Sequence, residues 1–363
     1  MADQGSSRIR ATGRRRRGRA PKNKKVTVAA WAATGLVLAG GAGLGYVYLS
    51  LNGNIQSVDI NAQLKDDDRP QDIDNGSMDV LVLGSDTRSG ANSSYGRDEG
   101  AARSDTAMIL HVYEGHKKAS VVSIPRDTIV QRPECPTPDG GTAPARHRAM
   151  FNTAFETGGP ACAVKTVEQM SGIRMDHYIE VDFSGFKKFI DDLGGVEITT
   201  TKPIDDKKSH LTLPAGTHTL DGEQSLGLVR TRKSVGDGSD LGRIQLQQAF
   251  MKAFIEQVKS VGIFTNPKKL LDIADSATKA IKPDSELNSV NELASFGRGL
   301  SGLGAKDVHM VTLPVQYDPS DPNRVVPLQA KAEQVWQALR ADKPIPASAT
   351  KDTASGQAEG LVR

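Results

Sequence analysis

The chain has 363 residues, enough for one large domain or two ordinary ones with a real hydrophobic core. Only two residues are Cys, which excludes a disulfide-dense small scaffold and a Cys-based zinc array. The net charge of +3 conceals a polarised chain: residues 1–25 carry +9, ten Lys/Arg against Asp3, and the remainder carries −6.

The basic tail ends where an uncharged run begins. Val26–Leu51 holds no charge over 26 positions, and a bilayer core needs about 20 apolar residues in a helix. The run predicts one transmembrane helix over 26–51. Lys and Arg stay cytoplasmic, so residues 1–25 form a cytoplasmic tail and everything after the helix lies outside the cell. A cleaved signal peptide is the alternative, but its apolar core runs only about 7–15 residues. Arg14–Arg17 suit topology and anionic headgroups. No aromatic is interleaved with these bases and 25 residues hold no binding fold, so no nucleic-acid partner is expected.

Residues 52–77 are polar and acid-rich and read as a stalk. Asp79–Gly84 is a nearly continuous apolar run ending in Gly, the pattern of a strand covered on both faces. Thr106–Val112 and Ala119–Ile124 repeat it. Phe151–Phe155 and Ala163–Met170 predict helix, broken by Gly158-Gly159-Pro160. Tyr178–Val181 reads as a strand, Phe183–Leu193 as a helix stopped by Gly194-Gly195, and Val196–Thr200 as a strand. Helices follow over Gly222–Arg230, Leu241–Val258, Pro267–Ile281 and Ser285–Leu300, then a last strand at Val308–Thr312 and a last helix at Ala330–Leu339. The alternation predicts an α/β layered domain over 78–340, a three-layer α/β/α sandwich with a central mixed β-sheet. Residues 341–363 read as a disordered polar tail.

Gly297–Gly302 fits G-x-G-x-x-G by letter but follows a helical pattern, and Ala305 spoils a phosphate loop ending at Lys306. Four other segments carry Asp and Arg at element ends: Gly84-Ser85-Asp86-Thr87-Arg88, Arg103-Ser104-Asp105-Thr106, Ser123-Ile124-Pro125-Arg126-Asp127, and Arg230-Thr231-Arg232 with Asp240, Arg243 and Gln247 beyond. Asp240, Arg243 and Gln247 share one helix face, and Asp240 sits where an N-cap or first-turn acid belongs. Arg grips phosphate oxygens bidentately and keeps its charge when desolvated. Strand ends in α/β sheets are where ligands sit. Asp86 and Asp105 offer hard oxygen ligands for Mg²⁺. Arginines with Mg²⁺ describe diphosphate chemistry. For each residue alone, the alternative is a surface ion pair or cap. Arg230 and Arg232 would diverge by about 200° on a regular helix, so their convergence predicts a helix end at 229–231.

These motifs, R-S-D-T, S-x-P-R-D, R-x-R and D-x-x-R-x-x-x-Q in this order, resemble the LytR–CpsA–Psr proteins of Gram-positive cell walls over about Met78–Gln257. The resemblance implies a membrane-anchored phosphotransferase. It would move a glycopolymer from a polyprenyl-diphosphate carrier to peptidoglycan through a phosphodiester, and would also hydrolyse polyprenyl diphosphates. It implies Asp86 and Asp105 as Mg²⁺-linked acids and Arg103, Arg126, Arg230, Arg232 and Arg243 as diphosphate ligands. Gln247, Arg88 and Asp127 stand beside them, and Asp240 is an orienting charge or, as a lesser alternative, a base. Arg132–Arg148 looks like an insertion, from which Arg146 or Arg148 would supply a basic contact.

Cys135 and Cys162 lie on the oxidising side and read as a disulfide, the alternative being two unpaired, partly buried thiols. A prenyl tail needs an apolar cavity beside the arginines. The candidates are Val164, Val167 and Met170 on one helix, Ile179 and Val181 on the next strand, and Phe183, Phe186, Phe189 and Ile190 after it. Ordinary core packing is the alternative for most of them.

Overall fold

The structure, a computed structural model, describes residues 43–86, 103–232, 240–261, 267–351 and 353. The chain divides into residues 1–49 and 50–363, and the second unit carries the sheet. Most of the apolar run at 26–51 lies outside the described residues. Residues 43–54 are helical, and among the described residues no helix is long and apolar enough to cross a membrane.

Six strands form the central sheet: β1 (Met78–Asp86), β2 (Arg103–Val112), β3 (Ala119–Ile124), β4 (His177–Asp182), β5 (Ile281–Pro283) and β6 (Val308–Thr312). Their order is β5-β4-β1-β2-β3-β6. β1 runs parallel to β4 and β3 parallel to β6, while the other neighbours are antiparallel, so the sheet is mixed. The long helices are α1 (Asn152–Ser171), α2 (Phe183–Leu193), α3 (Gly222–Arg230), α4 (Asp240–Ser260), α5 (Pro267–Ala280), α6 (Val290–Leu300) and α7 (Gln329–Arg340).

Side-chain alternation along the strands produces the layers. Leu81, Leu83, Ala107, Ile109, Val122 and Ile124 pack with Val164 and Val167 of α1 and Val335 and Trp336 of α7. The other face carries Met108, Val112 and Val121 against Met251 and Ile255 of α4. Beside that cluster, Ile190 of α2, Leu228 of α3 and Phe250 of α4 form another. Helices therefore cover both faces of the sheet. That is why the strands read as continuous apolar runs rather than alternating ones.

Two boundaries differ from the expectation. The segment read as a stalk begins the core early: Ile60 and Leu64 are buried in the α1 layer, and Arg69 is buried against Glu168. The polar tail is packed at its start, with Ile345 and Ala349 in the same cluster. Val308–Thr312 is not the last strand either, since a hairpin of Val315–Asp318 and Asp321–Pro327 follows it.

The Gly158-Gly159-Pro160 break is a kink inside α1, with both glycines outside helical φ/ψ. Cys135 and Cys162 are bonded there and fully buried. A Cβ on Gly158 would lie 2.3 Å from the Pro136 carbonyl oxygen and 2.7 Å from Cys162 Cβ, so glycine makes room for the bridge. Closing this loop of 27 residues contributes about 3–4 kcal/mol in the chain-entropy account. Thiol titration of the denatured full chain without reductant is expected to find no free thiol. Two would refute the bridge.

Candidate active site at one end of the sheet

Register gathers the motifs. β1 and β4 run together, so Ser85 pairs with Asp182, and β1 against β2 pairs Asp86 with Arg103. β3 runs toward this same end and continues into Pro125-Arg126-Asp127. The β1–β2 register shifts between Gly84, opposite Thr106, and Ser85, opposite Ser104, which leaves Asp105 as the extra residue of a bulge. Bulges re-aim side chains and interrupt pairing near active sites. The side chains of Asp86, Arg103, Asp105 and Asp240, and the whole of Arg88, lie outside the described residues.

Helices bring the remaining cations. α3 begins with a capping box between Asp221 and Gln224. It lies so close to α2 that a Cβ on Gly222 would fall 2.1 Å from the Lys187 carbonyl oxygen. It ends at Arg230, as the spacing of the two arginines predicts, and Thr231 is extended at φ −61°, ψ 133°. The Thr231 hydroxyl shares a 2.8 Å hydrogen bond with Ser209, and the Arg232 N–H donates to Asp206 Oδ2 at 2.9 Å. Arg230 lies over the Phe183 ring, 5.5 Å from its centroid, a cation–π arrangement. On α4, Arg243 and Gln247 are both buried. Gln247 Nε2 donates to Thr106 Oγ1 and to the Val229 carbonyl, each at 2.9 Å, tying α4 to the start of β2 and the end of α3. Gln248 reaches Ser123 and Thr312.

Arg126 lies 3.6 Å from Asp127 Oδ2, and the other Asp127 oxygen lies 3.5 Å from Arg324. Arg324, Asp206 and Ser209 carried no motif. They arrive through long-range pairings such as the bridge Thr128 to Val325. Ser85 Oγ and Asn152 Oδ1 are buried at this end without a hydrogen-bond partner among the described residues, polar capacity that a bound ligand or water can meet.

The candidate tail-binding residues divide. Val167 is fully buried in the α1 layer, whereas Phe186 is half-buried across the sheet, 5.7 Å in ring-centroid distance from Phe250. One cavity between a single helix and the sheet cannot include both.

Two histidines paired with carboxylates lie at the opposite end of the sheet. Burial pushes His111 down, but Asp79 at 2.9 Å and Asp342 at 3.1 Å more than offset this, and it titrates above its ordinary value. His177 behaves alike: burial lowers it and Asp284 at 3.1 Å raises it further. Asp284, raised by burial, is held lower overall by His177 and by the Tyr178 N–H. Asp284 therefore stabilises the fold above pH 3.8 and loses that contribution as pH falls through its depressed value. His177 contributes below pH 6.5 and loses it as pH rises through its raised value. The contribution of this pair to the melting temperature is expected to peak between these limits. In His177→Asn the alkaline decline should flatten in part, with His111 supplying the rest. An unchanged alkaline limb would remove the pair from the stability balance.

The LytR_cpsA_psr family model matches residues 47–341. The cell wall biosynthesis protein LcpA of Corynebacterium glutamicum is 30% identical over 299 residues, covering 76% of this chain and 57% of its own length. The chain thus spans little more than half of that relative. TagT of Bacillus subtilis, named a polyisoprenyl-teichoic acid–peptidoglycan teichoic acid transferase, is 30% identical over 339 residues, covering 90% of this chain and 97% of TagT. A solved structure of TagT bound to LI-WTA superposes with a TM-score of 0.56 at 28% identity, covering 78% of this chain and 98% of that one. Motif order, sheet topology and these matches agree, and the chain belongs to the LytR–CpsA–Psr family.

Proposed function

We propose that this protein transfers a wall glycopolymer from a polyprenyl-diphosphate carrier to a sugar hydroxyl of peptidoglycan, forming a phosphodiester. The observation that carries the reading is the convergence of Arg230 and Gln247 on the Thr106–Phe183 end of the sheet, where the Asp86 and Arg103 backbones pair, with buried Arg243 one turn before Gln247 on α4. The name and near-complete coverage of TagT support it. In the reaction the acceptor oxygen attacks the phosphorus that bears the polymer. The bond to the polyprenyl phosphate breaks, and that phosphate leaves. Arg126, Arg230, Arg232 and Arg243 hold the diphosphate oxygens and balance the charge that develops on the leaving group. Asp240, three residues before Arg243 on α4, is assigned the role of an orienting charge, and no residue is assigned as a base for the acceptor proton.

Asp86 and Asp105 fit a hard cation by donor chemistry, two acidic residues whose backbones lie at adjoining strand ends, one on a bulge. They would hold Mg²⁺, which would supply charge neutralisation on the phosphoryl oxygens. The prenyl tail is assigned to the α2–α4 face. Half-buried Phe186, Phe189 and Phe254 on one side, with Leu110, Met251 and Ile255 on the other, leave apolar surface to cover. The apolar run at 26–51 would anchor the chain with this domain outside the cell. The test is product formation by the full chain in detergent, from a lipid-linked diphosphate glycan and a peptidoglycan acceptor, with Mg²⁺ or with EDTA. Product with Mg²⁺ and a large loss with EDTA are expected. No product from either condition would overturn the reading.

A further inference from the structure

A cavity of about 420 Å³ opens on the α1–α7 face, and neither α3 nor α4, which carry Arg230 and Arg243, lines it. It lies among α1, α7, the strand Ile129–Arg132, its partner Arg146–Met150, and the hairpin strand Asp321–Pro327. Its volume falls within the roughly 300–1,000 Å³ of small-ligand sites. It is joined to the active-site end by chain: Ile129 follows Asp127 by two residues, and Arg324, on the hairpin strand that supplies Val326 and Pro327 to the wall, pairs with Asp127.

The lining decides the ligand. Buried Leu313, Ala332 and Trp336 give an apolar floor. Above it stand Gln131, Gln169, Gln329 and His147, all exposed, whose side chains make no hydrogen bond to the protein among the described residues. The charges at the rim are already matched, Arg148 by Asp318 and Glu333 by Arg340. A hydrocarbon tail here would strand three amides and an imidazole without partners, which is costly. An anion would meet no unmatched Lys or Arg in the lining. Amides that both donate and accept, over an apolar floor, suit an uncharged ligand with many hydroxyls and acetamido groups.

We propose that this cavity is a second glycan subsite, taking N-acetylated amino sugars of an uncharged oligosaccharide stretch. Assigning that stretch to the peptidoglycan acceptor rests on the transferase reading; sugar binding itself does not. The bound strand would run along the Ile129 strand toward Arg126, delivering an acceptor hydroxyl to the arginines.

The experiment measures binding of an N-acetylglucosamine tetramer to the full chain in detergent, by calorimetry and saturation-transfer NMR, with a glucose tetramer as comparison. The wild type is expected to bind the acetylated tetramer in preference. Gln169→Ala/Gln329→Ala, both on exposed helix positions, should weaken it about tenfold, the loss expected for two modest hydrogen bonds. That variant should retain its melting temperature and its affinity for inorganic pyrophosphate. Arg230→Ala should bind the tetramer as the wild type does. Equal affinity of the wild type and the glutamine variant, or no binding by either, would overturn the subsite. Tetramer binding that follows these predictions in a protein that forms no transfer product would leave the subsite standing and sink the transferase reading alone.

Discussion

Alanine at Arg230 or at Arg232 is expected to lower glycopolymer transfer by about 10²-fold or more, the usual loss when one preorganised electrostatic donor is removed from a reacting centre. The two residues serve one anion only because the backbone between them changes character. α3 closes at Arg230, Thr231 turns extended, and its hydroxyl is held by the Gly227 carbonyl and Ser209. Asp206 then accepts the Arg232 N–H, so the second arginine leaves the helix in a set direction. Arg230 is aimed by its position over Phe183. Lysine at 230 should restore activity only in part, because an ammonium supplies charge without the planar fork. Neither arginine belongs to an apolar core cluster, so melting temperatures should stay close to wild type. Initial rates with the lipid-linked donor, set beside melting curves, check both statements. A double variant with normal transfer would reduce the pair to a surface feature.

The parts of this site that were legible are those written in short-range pattern. Apolar runs ending in Gly84 and Ile124 gave strand ends, and the motifs beyond them followed. The Arg230–Arg232 spacing set a helix end that the φ/ψ of Thr231 bears out. Cys135 and Cys162 were paired by count and compartment alone. Long-range geometry was not legible. Val167 and Phe186 look alike as apolar helix residues, and only the strand order assigns them to opposite faces of the sheet. Asp206, Ser209 and Arg324 are ordinary loop or strand polars until chain pairing brings them to Arg232, Thr231 and Asp127. The role of the acid-rich stretch before β1 was not legible for the same reason. Its composition is that of a solvated stalk, while its few apolar side chains and one arginine find partners about a hundred positions away.

Arg69 ties the stretch before β1 into the core. Its guanidinium grips Glu168 of α1, with Nε 3.0 Å from Oε2 and Nη2 2.6 Å from Oε1. The side chains are 2% and 1% exposed. Arg69 also donates to Asn61 Oδ1 and to the Met175 carbonyl, and Glu168 accepts the Met175 N–H. Every nitrogen of the guanidinium and both carboxylate oxygens thus have a partner inside the protein, which lets a charged pair persist in the core. Removing only the cation leaves a buried carboxylate without its counter-charge. Arg69→Met is therefore expected to destabilise the fold by about 3–5 kcal/mol, a large share of the roughly 5–15 kcal/mol that holds a domain together. Arg69→Met/Glu168→Leu should recover much of this, because replacing both charges by apolar groups of similar volume removes the stranded charge. Glu168→Leu alone should resemble Arg69→Met, since it strands the guanidinium instead. Melting curves of the four proteins in the same detergent give the cycle directly. If Arg69→Met melts within about 0.5 kcal/mol of wild type, the level of an ordinary surface substitution, the residues before β1 are a solvated stalk after all. A loss of the expected size, relieved in the double variant, makes them the first layer of the core.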